Sequence, residues 1–172
     1  ITERYNSKEF LVLTYTPNKD MISENSINNL LSLKYKIQSL KWVDSVVTIL
    51  DIPLLTSTDK TLTERLQNFS TLKSDGINKT KGFNEILNSP VFRNFVISED
   101  GKTSGIIVNI KKNEIPKKLE NKNEIEAYKD SLKKKNHQNI IEIREIIKSY
   151  SKIGKIHLGG IPMIADDMMS FI

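Results

Sequence analysis

The chain has 172 residues, with 26 Lys or Arg against 21 Asp or Glu and a net charge of +5. That length suits one domain with its own core, and no apolar run of about 18 residues occurs, so the piece is expected to be soluble and to contain no membrane span. It has no cysteine, which excludes disulfides, thiolate metal sites and cysteine nucleophiles.

The chain begins at Ile1 rather than Met and has no signal peptide, as expected of a processed chain or a fragment. Phe10 to Tyr15 reads as a strand with both faces largely apolar, the character of a central strand. Thr16 to Asp20 is a turn. Ser23 is a credible N-cap, and Ile22 with Ile27 makes a hydrophobic staple around it. Ile27, Leu30, Leu31, Ile37 and Leu40 share one stripe, so a helix is predicted from about Ser23 to Leu40. A second strand is predicted from Val43 to Leu50, ending at Asp51-Ile52-Pro53 because the residue before proline resists helix and proline cannot donate to a ladder.

Residues 54–92 read as an insertion. A short helix is predicted over Leu62–Phe69, a loop over Ser70–Lys81 with a turn at Asp75-Gly76, and a helical turn over Phe83–Leu87 closed by Asn88-Ser89-Pro90. Two sequons, at Asn68 and Asn78, are of the kind that chance supplies in an Asn-rich chain. Phe92–Ser98 and Thr103–Lys111 then flank Glu99-Asp100-Gly101-Lys102. This predicts a hairpin with a two-residue type I′ turn at Asp100-Gly101 and Glu99 facing Lys102.

Asn113–Lys122 is a charged linker. A long helix is predicted from Asn123 to Tyr150, with a polar, weakly packed middle over Lys133–Asn139. The Lys133-Lys134-Lys135 cluster lies within it and reads as a solvated face, because no aromatic or glycine accompanies it as a nucleic-acid surface would require. Gly154 ends the helix and leads to a last strand at Ile156–Leu158. Gly159-Gly160-Ile161-Pro162 then gives backbone freedom followed by a φ suited to a first helical turn, and the apolar run to Phe171-Ile172 reads as the lead-in to a membrane span.

The order reduces to βαββαβ. The predicted fold class is α+β: a ferredoxin-like antiparallel sheet with two helices on one face and a helical insertion, 54–92, between the second and third core strands. The first strand and the 103–111 strand would be central.

The chemistry of an enzyme is not legible. His137 and His157 have no carboxylate at metal-ligand spacing, and neither a phosphate loop nor a nucleophile elbow occurs. Asp166 and Asp167 are adjacent and so do not share a helical face as a catalytic pair would; near a helix start they favour its dipole. No enzyme activity, metal or cofactor is expected.

Four stretches carry a family resemblance. They are Phe10-Leu11-Val12-Leu13 leading to Met21-Ile22-Ser23-Glu24-Asn25; Leu40 to Val46 followed by Leu50-Asp51-Ile52-Pro53-Leu54-Leu55; Asn88 to Thr103; and Leu158-Gly159-Gly160-Ile161-Pro162 with Asp166 and Asp167 after it. In this order they resemble the extracytoplasmic porter loop of resistance–nodulation–division (RND) exporters, nearest the MMPL-like or hydrophobe/amphiphile efflux branch. Trp42 departs from the pattern, since the family usually has glycine just before the second strand.

The resemblance implies a single porter-type domain, 1–172, lying between the first two spans of a proton-driven exporter. The parent would sit in the bacterial inner membrane with this domain in the periplasm or extracytoplasmic space. Its partners would be the spans and the second porter loop of the same chain, a lipid or other amphiphilic substrate, and further copies if the parent is a homo-oligomer; nucleic acid is not among them. Gly159, Gly160, Pro162, Asp166 and Asp167 would couple the domain to the following span. An apolar cleft between the sheet and 54–92 would be a substrate contact, weighed against simple closure of the core. The competing readings are a soluble ferredoxin-like ligand- or RNA-binding module, or an assembly scaffold that does not transport. The RNA version needs exposed strand aromatics, for which Phe10 and Tyr15 are candidates on opposite faces.

Overall fold

The β1 strand (Phe10–Pro17) alternates strictly, with Leu11, Leu13 and Tyr15 buried while the residues between them are half-buried or exposed. Period-2 geometry sends those three to one face of a sheet, and that face carries the core. A computed structural model of the chain describes residues 9–55, 61, 63, 69–93, 96–112 and 121–159.

The remaining described elements are α1 (Glu24–Gln38), β2 (Val43–Val47), α2 (Lys79–Asn88), β3 (Ser104–Ile110), α3 (Lys122–Ser149) and β4 (Gly154–Leu158). They make an α+β structure with a four-stranded antiparallel sheet in the order β2-β3-β1-β4. The two strands expected at the centre, β1 and β3, are there. Leu13 faces Ile106, Leu11 faces Val108, and Val46 faces Val108 from the other side, so one continuous apolar surface runs across the sheet.

Helices α1 and α3 cover that surface. Ser23 caps α1 by accepting from the Ser26 N–H at 3.2 Å, as its sequence position suggests. Ile27, Leu30, Leu33 and Ile37 bury the inner stripe. The Tyr15 hydroxyl, wholly buried, donates to the Ser26 carbonyl at 3.0 Å and ties the end of β1 to the start of α1. Burial also pushes this phenol's pKa up, against the smaller opposing effect of the hydrogen bond to Ser26. Helix α3 joins β4 through the tight turn Tyr150–Ile153 and so runs antiparallel to it. The Tyr150 hydroxyl meets the Ser32 hydroxyl at 2.9 Å and locks α3 to α1.

Several boundaries differ from expectation. Strand β2 stops at Val47, not Leu50. Thr48 starts a 3₁₀ turn, Ile49–Asp51, with a full capping box: its hydroxyl accepts from the Leu50 N–H at 3.1 Å, and Asp51 accepts from the Thr48 N–H at 2.9 Å. The helical turn over Phe83–Leu87 is a ten-residue helix that starts at Lys79, capped by Asn78. Gly82 had disguised it, since glycine is a poor helix former. It is present because a Cβ there would come within 2.9 Å of Leu54 Cδ1 and 3.0 Å of Leu72 Cδ2.

The hairpin preceding β3 is shorter than predicted. Its closing pair is Ser98–Thr103 (N–H to O, 2.9 Å), the described residues of its first arm meet β3 through the bridge Ile97–Ser104 and the Gly105 N–H to Val96 carbonyl bond (2.8 Å), and Gly101 takes the left-handed conformation (φ +71°). Asp100 accepts from both Ser98 Oγ and the Lys102 N–H, which holds its carboxyl below the usual carboxylate range and widens the turn; the Lys102 N–H is the larger cause. Glu99 therefore faces Arg93 at 3.5 Å rather than Lys102.

Two expected features fall elsewhere. Helix α3 is continuous through its polar middle, and Lys133, Lys134, Lys135, His137 and Gln138 are all exposed. Most of the helix predicted over Leu62–Phe69 (62 and 64–68) and the lead-in over 161–172 lie outside the described residues. Among the described residues, no helix is long and apolar enough to cross a membrane.

Candidate functional site

The insertion builds a cavity of its own. After the capped turn at Thr48–Asp51 the chain runs extended through Ile52-Pro53, and the Leu54 N–H donates to the Ser70 carbonyl at 2.7 Å, which seats Leu54 in the core. The next N–H, of Leu55, donates to Glu85 Oε2 of α2 at 2.7 Å. The 52–55 segment and α2 are thereby held side by side. Beyond α2, the Arg93 N–H donates to the Ser89 carbonyl at 2.9 Å, folding the chain so that Phe92 closes one end.

The resulting cavity is about 490 Å³ and open to solvent. Ile52, Pro53, Leu55, Ile86 and Phe92 give its apolar wall; Lys81, Asn84, Glu85, Asn88 and Ser89 give its polar rim. One cation and one anion stand one helical turn apart on that rim, so it carries no net charge. Apolar walls with a few polar groups at the mouth suit a small amphiphilic molecule. The wall continues outward through exposed side chains: Leu55 is 56% and Val91 70% exposed.

A charged cluster fixes this wall from behind. Lys34 is nearly buried in α1, and its ammonium meets Asp51 Oδ1 at 2.6 Å; Lys73 meets the same oxygen at 3.1 Å. Burial alone would raise the Asp51 pKa. The Lys34 ammonium, the Thr48 N–H and the Lys73 ammonium together outweigh it and hold the carboxyl below its ordinary range. The signal was legible but unread: Lys34 stands on the Leu30–Leu33–Ile37 stripe of α1, where a cation needs a partner.

The walls of this cavity come from 52–55, α2 and Phe92, with no strand residue among them. Of the expected coupling residues, Gly159 is described: its N–H donates to the Val12 carbonyl at 2.7 Å, and a Cβ there would stand 3.0 Å from that same oxygen. Gly160, Pro162, Asp166 and Asp167 lie outside the described residues. His137 is exposed on α3 and His157 is exposed on β4. Among the described residues, no group of three His, Cys, Asp or Glu side chains could hold a metal ion.

No family model, no curated protein and no solved structure matches the chain. The functional reading therefore rests on geometry and on the sequence pattern.

Proposed function

We propose that the chain is a non-catalytic extracytoplasmic domain of an RND-type exporter of lipids or other amphiphiles, built on a ferredoxin-like sheet. The observation that carries this reading is where the chain enters and leaves the sheet. The Ile110 N–H donates to the Glu9 carbonyl at 2.9 Å, and the Gly159 N–H donates to the Val12 carbonyl at 2.7 Å. Entry and exit thus lie at one end of the sheet, an arrangement that suits a loop between two consecutive spans. The antiparallel order β2-β3-β1-β4 with α1 and α3 on one face supports the ferredoxin-like part. The cavity on the insertion supports contact with an amphiphile.

In this reading the domain shapes the substrate path on the extracytoplasmic side of the inner membrane. It moves as a body with the spans through the Gly159-Gly160-Ile161-Pro162 junction. Proton coupling belongs to carboxylates inside the spans. The runner-up, a soluble ligand-binding module, uses the same cavity; its RNA-binding version loses one of its two aromatics, because Tyr15 is wholly buried.

The coding sequence on both sides decides between them. Runs of about 20 apolar residues before Ile1 and after Ile172 are expected, and a polar linker or stop after Ile172 would sink the exporter reading. The cavity is tested separately with a fluorescent naphthylamine probe. Phe92→Ala removes one wall and is expected to weaken probe binding about tenfold, the effect of ~1.4 kcal/mol of lost apolar contact. Unchanged affinity would move the contact elsewhere.

A further inference from the structure

The sheet has a second face. Val12 stands opposite Ile107, and Ile107 opposite Val47, so three apolar side chains form one row across β1, β3 and β2 on the side away from α1 and α3. Phe10, two residues along β1 on the same side, is 40% exposed. The two faces differ in cover. Leu13, Ile106 and Val108, under the helices, are wholly buried, whereas Val12, Ile107 and Val47 are half-buried. Neighbouring strands shield the sides of such a row and leave its top open.

The chain leaves β4 beside this row, where the Gly159 N–H donates to the Val12 carbonyl at 2.7 Å. The sequence that follows, 160–172, has a helical pattern with two unlike sides. At about 100° per residue, Ile161, Ile164, Ala165, Met168, Phe171 and Ile172 fall on one side. Asp166, Asp167 and Ser170 fall on the other, interrupted only by Met163. A helix inside a bilayer is apolar all round, whereas one that lies on an apolar surface keeps a polar side for water. Pro162 suits the first turn. From Pro162 to Ile172 such a helix is about 16 Å long and about 10 Å wide, and the row on three strands is about 10 Å across.

We propose that residues 161–172 form an amphipathic helix that docks on the outer face of the sheet, over Phe10, Val12, Ile107 and Val47. The tether at Gly159 selects this occupant over a separate partner, because it delivers the segment's apolar side to the row at high effective concentration. Asp166 and Asp167 then face water. In the exporter reading the docked helix is the step between sheet and span; in the binding-module reading it is a third layer. Its failure would leave both readings and the cavity untouched.

The chain has no cysteine, so an introduced pair reports on this contact alone. In the 172-residue chain, Ile107→Cys with Met168→Cys should form an intramolecular disulfide under mild oxidation, seen on a non-reducing gel and mapped by peptide mass. Ile107→Cys with Ser170→Cys places the second thiol on the polar side and should link about tenfold more slowly, since a disulfide needs Cα atoms within about 7 Å. Equal rates in the two pairs, or no link, would overturn the proposal. Links formed only between chains would overturn it too, and give the face to a second copy. Stability supplies a readout that needs no cross-link. Met168→Asp should lower the folding equilibrium constant about tenfold, the effect of losing one buried apolar side chain, read from the urea midpoint at unchanged m-value. Ser170→Asp should leave the midpoint where it is. A midpoint equal in the parent and both variants would show that the segment does not pack on the sheet.

Discussion

Asp51→Ala is the most informative single change. It removes one short ion pair to a nearly buried ammonium, one longer pair to an exposed one, and the acceptor that closes the Thr48 capping box. The charge-assisted bond to Lys34 contributes about 2 kcal/mol, the loss of the box about 1 kcal/mol, and the Lys73 pair no more than about 0.5 kcal/mol because Lys73 is exposed. The expected total is ~3 kcal/mol, read as a lower urea midpoint at unchanged m-value. Much of it comes from the Lys34 ammonium left without its partner. The double variant Lys34→Met/Asp51→Ala should therefore recover about half of the loss. Probe binding at the cavity should fall as well, because the Thr48–Asp51 turn positions Ile52 to Leu55. A loss below about 0.5 kcal/mol, or a double variant as unstable as the sum of the singles, would refute this account of the cluster.

Acid titration tests the same group from another side. The folded carboxyl of Asp51 is held below its ordinary value, so the native state binds this proton less readily than the unfolded chain. Its stabilisation is complete above the unfolded carboxyl pKa of about 3.9 and is lost as pH falls through the lower folded value; Asp51→Asn should flatten that part of the stability–pH curve. Tyr15→Phe removes the buried bond to the Ser26 carbonyl and should cost about 1 kcal/mol in urea denaturation. Gly82→Val places a branched side chain against Leu54 and Leu72, both fully buried; a cost of about 1–3 kcal/mol is expected from overpacking, with weaker probe binding as α2 shifts.

How well the sequence could be read varied with how local each signal was. Ser23 and the α1 stripe are set by nearest neighbours and tertiary packing reinforces them, whereas β1, apolar on both faces in sequence, buries only Leu11, Leu13 and Tyr15. The extent of α2 was hidden because Gly82 answers to Leu54 and Leu72, distant in the chain, rather than to helix propensity. Strand β2 was overextended because Ile49 and Leu50 are apolar in either conformation, and Thr48 with Asp51 decides between them by hydrogen bonding. The hairpin turn followed Asp100's own side-chain bonds rather than the Asp-Gly preference. The cavity was placed only roughly, since pairing of Leu54 with Ser70 and of Leu55 with Glu85 depends on how the insertion closes on itself.

The sheet's pairings have a kinetic consequence. Val12 pairs with Ile107, Leu13 with Leu158, and Val47 with Ile107, so every ladder joins segments far apart in the chain. Closing such loops costs free energy that grows only with the logarithm of their length, which leaves stability nearly indifferent to residues added in the insertion. Folding rate is less forgiving, because these contacts must be made before anything repays them. Until β3 arrives, β1 has only β4 to pair with and β2 has no neighbour in the sheet, and their apolar faces are open to other chains at that stage. Refolding yield at high protein concentration, more than equilibrium stability, is where this topology makes itself felt.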